Sequence, residues 1–184
     1  MPSDHDPARA RPLTVVGIGA NLGDRRGAIE RAIRAIEALP QTEVVGRSSV
    51  WRTRPVGGPP QPDYYNAAVG IRSALPAHDL MDALLVVESL LGRERGEPNE
   101  PRTLDLDILW IDGQIIAPPP VGDPGADALT LRVPHPRLHE RAFALIPMLE
   151  VVGDAADPET GRLYAEILAE IGTDGVAPLD STDA

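Results

Sequence analysis

The stretch Pro101-Arg102-Thr103-Leu104-Asp105-Leu106-Asp107-Ile108-Leu109-Trp110 alternates apolar and polar residues with the period of a β-strand. Successive strand side chains leave opposite faces, so Leu104, Leu106, Ile108 and Trp110 point one way. Thr103, Asp105 and Asp107 point the other way, beside Arg102. Two carboxylates spaced like this stand about 7 Å apart, and like charges so placed repel unless a cation or a shared proton intervenes. Mg²⁺ suits the pair, since it sits on one or two carboxylates together with substrate phosphates. An Asp-x-Asp pair by itself reads most simply as a solvated strand face; the rest of the chain turns the reading toward a site.

With 184 residues the chain is expected to fold as one domain around a single core. No apolar run approaches the roughly 20 residues that a membrane span needs, and Met1–Pro12 has no apolar stretch of the signal-peptide kind. Cysteine is absent, so disulfides and thiolate metal sites are excluded and a cytoplasmic setting is expected. The net charge of −11 argues against nucleic acid as a partner. All 17 basic residues are Arg. Any phosphate must therefore be held by guanidinium forks, backbone N–H groups or metal, and a Walker loop is excluded for want of its Lys.

Outward from the decisive stretch, the order of elements is β-α-β-β-α-β. Leu13–Ile18 reads as a strand, followed by the turn Gly19-Ala20-Asn21-Leu22-Gly23-Asp24 and a helix over 25–39 with Asp24 as its N-cap. Glu43–Thr53 reads as one strand and Asp63–Arg72 as the next, the latter placing Tyr64 and Asn66 side by side on one face. A helix then runs from Pro76 to Leu91, capped by Gly92, with Leu80, Leu84, Val87 and Leu91 as its core stripe. After the Asp-bearing strand come the Asp112-Gly113 turn, a return strand near 114–117, the loop Pro118–Asp127 and an extended segment over 129–133. A helix beginning near Pro136 sets Arg137 and Arg141 one turn apart, and a last helix covers Arg162–Ile171. The fold class expected is α+β: a ferredoxin-like βαββαβ core with an antiparallel sheet, plus a C-terminal hairpin and two helices. Residues 1–12 and 173–184 are expected to be disordered tails around a domain of residues 13–172.

One face of this arrangement collects Asp105, Asp107, Arg93, Arg95, Arg102, Arg141, His135, the Tyr64/Asn66 pair and Phe143. Carboxylates for metal, forks for phosphate and a stacking slot point to phosphoryl transfer onto a flat ring compound. Six blocks carry a resemblance to a known family: Gly19–Asp24, Arg52–Gly57, Gln61–Ala67, Gly92–Arg95, Pro101–Asp107, and Val133-Pro134-His135 with Arg141-Ala142-Phe143. The sequence resembles the 6-hydroxymethyl-7,8-dihydropterin pyrophosphokinases over about Val15–Ile171. The resemblance implies pyrophosphoryl transfer from ATP to a pterin alcohol, with AMP as leaving group.

By the same resemblance, Asp105 and Asp107 hold two Mg²⁺ ions. Arg93, Arg95, Arg102, His135 and Arg141 hold the phosphates or sugar of ATP, and Glu88 and Ile108 lie near ribose and adenine. Tyr64 and Phe143 sandwich the pterin, and Asn66 reads its amide edge with the backbone at Thr53 and Val56. Arg93, Arg102 and Asp107 are the catalytic candidates, Asp107 also as acceptor of the hydroxyl proton. The partners implied are small molecules only, with no membrane and no nucleic acid, and the chain is expected to be a monomer. Two departures stand out. Glu97-Pro98-Asn99-Glu100 occupies the place of a closing loop that carries Arg and Trp in the family, and Ala20 replaces a usual Ser. The first motivates an alternative, a non-catalytic pterin or nucleotide binder with an impaired lid; a third class, an RNA-binding module, fits the acidic charge poorly.

Overall fold

The computed structural model describes residues 11–55, 60–93, 101–117 and 131–179. Val56, Arg95, the Glu97–Glu100 loop and the Pro118–Asp127 insertion lie outside the described residues, as do 1–10 and 180–184 of the two expected tails.

Six strands form one antiparallel sheet: β1 (Leu13–Ala20), β2 (Thr42–Arg47), β3 (Trp51–Thr53), β4 (Tyr64–Ser73), β5 (Asp105–Ile111) and β6 (Val176–Pro178). The spatial order is β5-β1-β4-β3-β6, with β2 beside β4. Helices α1 (Arg25–Glu37) and α2 (Ala77–Leu90) cover one face. Their stripes, including Ile29, Ile33, Ile36, Leu80 and Leu84, meet Val16, Ile18, Val69, Ile71, Leu106 and Ile108 of the sheet. Asp24 caps α1 as expected, its carboxylate accepting the Gly27 N–H at 2.9 Å. The other face is covered in part by α3 (Ala142–Val152), against which α4 (Tyr164–Ile171) packs; Leu145, Met148, Tyr164 and Ile167 fill this second core. The sheet is thus the middle of three layers. Among the described residues no helix is long and apolar enough to cross a membrane.

The βαββαβ order holds, with local corrections. The strand expected over 43–53 is broken at 48–50, and both pieces pair with the same edge of β4. Glu150 of α3 draws the break inward, accepting the Ser49 N–H at 2.6 Å and the Trp51 indole N–H at 2.9 Å. On β5 the alternation reverses: a register irregularity pairs Val16 with Ile108 but Val15 with Trp110, leaving Leu109 as an extra residue. Leu109 and Trp110 both join the α3 side, so Trp110 does not face the same way as Ile108. Among the described residues, the expected return hairpin is represented by one bridged pair, Ile116 with Val133. Arg137 and Arg141 do not share a helix face, because Leu138–Glu140 is a 3-10 turn and Arg141 is the N-cap residue that precedes α3. Residues 173–179 are not a tail, since β6 extends the sheet beyond β3.

Candidate active site

Helix α3 approaches β4 closely at Gly70, where an added Cβ would lie 2.7 Å from Val151 Cγ1. Toward the opposite end of the same face, the outward residues of the central strands are small or polar. In one cross-strand row Asp105 faces Gly19, and Gly19 faces Asn66; in the next, Asp107 faces Gly17, and Gly17 faces Ala68. Neither glycine raises a side chain between the carboxylates and the amide. The result is a cavity of about 310 Å³ lined by Asp105, Asp107, Arg102 and Arg141 on one side and Thr53, Tyr64, Asn66 and Phe143 on the other. That size lies at the lower end for small-molecule sites.

The charged half is densely bonded. Asp105 accepts from Arg93 at 2.7 Å through one oxygen and from Arg102 at 2.8 Å through the other. Arg93 is also paired with Glu88, which is 2% exposed and accepts the Leu106 N–H at 2.6 Å. Burial works against the Arg93 charge, but Asp105 and Glu88 outweigh it and raise its pKa; burial lifts the Glu88 carboxyl above its ordinary range. Asp107 is pushed up from 3.8 to about 7, first by burial and then by the neighbouring Asp105, with Arg141 opposing. A cation would relieve both causes. Among the described residues no three His, Asp or Glu side chains gather into a metal cage. The cavity offers a cation two hard carboxylates, Asp105 and Asp107, a set of the kind that Mg²⁺ completes with phosphate and water.

His135 and Arg141 stand beside the acids. Burial, then the adjacent Arg141, pushes the His135 imidazole down from 6.5 to about 4. Its Nδ1 accepts the Arg137 N–H at 3.2 Å, so the ring is neutral near pH 7 with its proton on Nε2, a donor. Arg141 also lies over the Phe143 ring, 5.6 Å from its centre, coupling the charged half of the site to the ring slot.

On the ring side, Asn66 donates its amide to Thr53 Oγ1 at 2.7 Å, and the Tyr64 hydroxyl donates to Gln61 Oε1 at 3.0 Å. Asn21, 1% exposed, ties the two halves together. It donates to Gln61 at 2.8 Å and accepts the Arg102 N–H at 2.7 Å, while its own N–H bonds to the Arg102 carbonyl at 3.1 Å.

The cavity brings together eight of the site residues singled out in the sequence: Thr53, Tyr64, Asn66, Arg102, Asp105, Asp107, Arg141 and Phe143. Arg93, Glu88 and His135 flank it rather than line it. Ile108 is not brought there: its side chain lies in the core against the helices, 2% exposed, as the alternation of β5 requires. Sequence reasoning missed Arg54, Gln61, Arg137, Glu140 and, at the end of the last helix and beyond it, Ile171, Gly172, Asp174, Gly175 and Val176, all of which line the cavity. Gln61 stood within a recognised block, and Arg137 stood two residues beyond His135. The last segment carried no signal of its own.

The family model described as 7,8-dihydro-6-hydroxymethylpterin-pyrophosphokinase (HPPK) matches residues 15–153. A 2-amino-4-hydroxy-6-hydroxymethyldihydropteridine pyrophosphokinase of Pseudomonas aeruginosa is 35% identical over 164 residues, covering 89% of this chain and 94% of the relative. One of the same name from Synechocystis is 34% identical over 165 residues, covering 90% of this chain and 79% of the relative. Among solved structures, an HPPK-DHPS in complex with substrates superposes with a TM-score of 0.68 at 10% identity, over 92% of this chain and 46% of that one. The wild-type Plasmodium falciparum HPPK-DHPS gives 0.64 at 10% identity, over 87% and 44%. This chain spans less than half the length of those two, and at such identity the likeness shows the fold alone. On the family match and the sequence identities, the chain belongs to the 7,8-dihydro-6-hydroxymethylpterin-pyrophosphokinase family and is an enzyme of that class.

Proposed function

We propose that the protein transfers the pyrophosphoryl group of ATP to the hydroxymethyl oxygen of 6-hydroxymethyl-7,8-dihydropterin in a Mg²⁺-dependent reaction that releases AMP. The observation that carries this reading is one cavity in which Asp105, Asp107, Arg102 and Arg141 meet Thr53, Tyr64, Asn66 and Phe143. The family membership of the chain supports it.

Asp105 and Asp107 would hold two Mg²⁺ ions, which supply charge neutralisation across the phosphates and polarise the attacked phosphorus. The protein's part is placement and electrostatics. Tyr64 and Phe143 bound a slot for the flat ring, and Asn66, oriented by Thr53, presents its amide to the ring's hydrogen-bonding edge. Arg102 and Arg141 offset charge that grows on the phosphate oxygens as AMP departs, and neutral His135 donates from Nε2 without adding charge. Arg93 acts from behind, holding Asp105 in place. Asp107 is the cavity carboxylate to which we assign the hydroxyl proton where the alcohol attacks.

Incubation with ATP, Mg²⁺ and the pterin alcohol should yield AMP and the pterin diphosphate in equal amounts. Absence of AMP under conditions where both ligands bind would overturn the reading and favour the non-catalytic binder.

A further inference from the structure

One wall of the cavity takes no part in the chemistry above. Ile171, Gly172, Asp174, Gly175 and Val176 form it, the segment that links α4 to β6. β6 stands at the edge of the sheet with β3 as its neighbour, and the pairing sets Val176 against Thr53 and Ala177 against Arg52. The Arg54 N–H donates to the Gly175 carbonyl at 3.1 Å, and the Leu179 N–H to the Val50 carbonyl at 3.0 Å. In an antiparallel ladder alternate pairs exchange both bonds, so Ala177 and Arg52, midway between these two, form the doubly bonded pair.

The main chain from Trp51 to Thr53 is therefore gripped on both sides, by β4 within and β6 without. The grip ends at Thr53 and Arg54, where the chain leaves the sheet along the cavity. Thr53 carries the hydroxyl that orients Asn66. Gly175 adopts a φ of +78°, which L side chains rarely take, and a Cβ there would lie 3.2 Å from Arg54 Nε. The turn thus brings bare backbone against the guanidinium of a residue that itself lines the cavity.

We infer that β6 and its glycine turn are a positioning element for ring recognition: they fix the Thr53–Arg54 main chain at the edge of the slot and close its outer side. The inference rests on the proposed ring substrate and deepens it. The cavity side chains proposed for the polyphosphate are Asp105 and Asp107 of β5, Arg102 just before it, and Arg141, the N-cap of α3. Loosening β6 should therefore weaken the ring and spare the nucleotide.

Two full-length variants test this. Ala177→Pro removes a ladder donor, and Gly175→Ala strains the turn and displaces Arg54. Each is titrated with the pterin alcohol while holding a saturating non-hydrolysable ATP analogue and Mg²⁺, and separately with the analogue alone. KM values for both substrates and melting temperatures are measured alongside. The inference expects the ring Kd and the pterin KM to rise about tenfold or more, a difference of roughly 1.4 kcal/mol. Affinity and KM for the nucleotide should stay within about twofold, well under that difference. Unchanged ring affinity in Gly175→Ala, or equal losses for both ligands, overturns it; if Ala177→Pro does not fold, Gly175→Ala decides. If the unsubstituted protein fails to bind the pterin alcohol, the proposed function falls as well; normal binding there with unaffected variants removes only the role of β6.

Discussion

Asp105 and Asn66 stand in one cross-strand row of the sheet, on either side of Gly19. A Cβ at Gly19 would lie 3.2 Å from the Asn66 side-chain oxygen and 3.8 Å from Asp105 Cβ. The carboxylate proposed for metal and the amide proposed for the ring are kept apart by a residue with no side chain. Gly19→Ala should crowd Asn66 more than Asp105. We expect KM for the pterin alcohol to rise about tenfold, as loss of one well-placed hydrogen bond would produce, with KM for ATP nearly unchanged. Steady-state kinetics with each substrate varied in turn check this.

Asp107 holds its proton to about pH 7 in the metal-free protein, whereas an unfolded chain would release it near 3.8. The folded state thus binds the extra proton between those values, and this group's contribution to stability falls as pH rises through that window. Asp107→Asn should melt higher than the unsubstituted protein at pH 8 in chelator, and the gap should shrink toward pH 4. Because metal must displace the same proton, affinity for Mg²⁺–ATP should weaken as pH drops below 7. Turnover of Asp107→Asn should fall on the order of a hundredfold or more. Melting curves, calorimetric titration and AMP release test the three parts.

His135 shows the opposite linkage from the same first cause, burial, because its charged form is the protonated one. Its folded pKa, about 4, lies below the ordinary 6.5, so the unfolded chain takes up the proton first as the solution is acidified. Its contribution to stability is whole above pH 6.5 and is lost on descent toward 4. Histidine NMR should find the His135 ring neutral, with the proton on Nε2, down to pH 5. A ring that titrates near 6.5 would contradict the burial and the Arg141 contact assigned to it.

Glu88 is embedded between a helix and the Asp-bearing strand, accepting from the Leu106 N–H and from Arg93. Glu88→Ala leaves both donors without that acceptor in a buried setting. We expect about 1–3 kcal/mol of lost stability, the cost of leaving the buried Leu106 N–H unsatisfied, since Arg93 keeps Asp105 as a partner. Urea unfolding followed by circular dichroism measures it; a loss below roughly 1 kcal/mol would mean that solvent takes over the role of the carboxylate.

Much of this molecule was legible in the sequence where periodicity and core burial agree. The stripe Leu80, Leu84, Val87 and the alternation of Tyr65, Ala67, Val69, Ile71 each matched a side of the sheet. The two aspartates fell on one face because strand alternation fixes them there before any tertiary contact forms. What escaped depended on contacts distant in sequence. The break at 48–50 answers to Glu150, about a hundred residues further on. Trp110 turned over because Leu109 bulges against β1, and a period-2 pattern does not register one extra residue. β6 has three residues and no apolar alternation, so only its pairing with β3 marks it as a strand.

The roof of the sheet is incomplete by design of its sequence: α3 is drawn onto Gly70 and stops before Gly17 and Gly19. The proposed ring and nucleotide, once seated, would serve as the absent portion of that roof and shield the same strands that a helix shields a few residues away. The protein loaded with both should accordingly melt as a better-packed body than the free chain, in proportion to the logarithm of ligand excess over its dissociation constant.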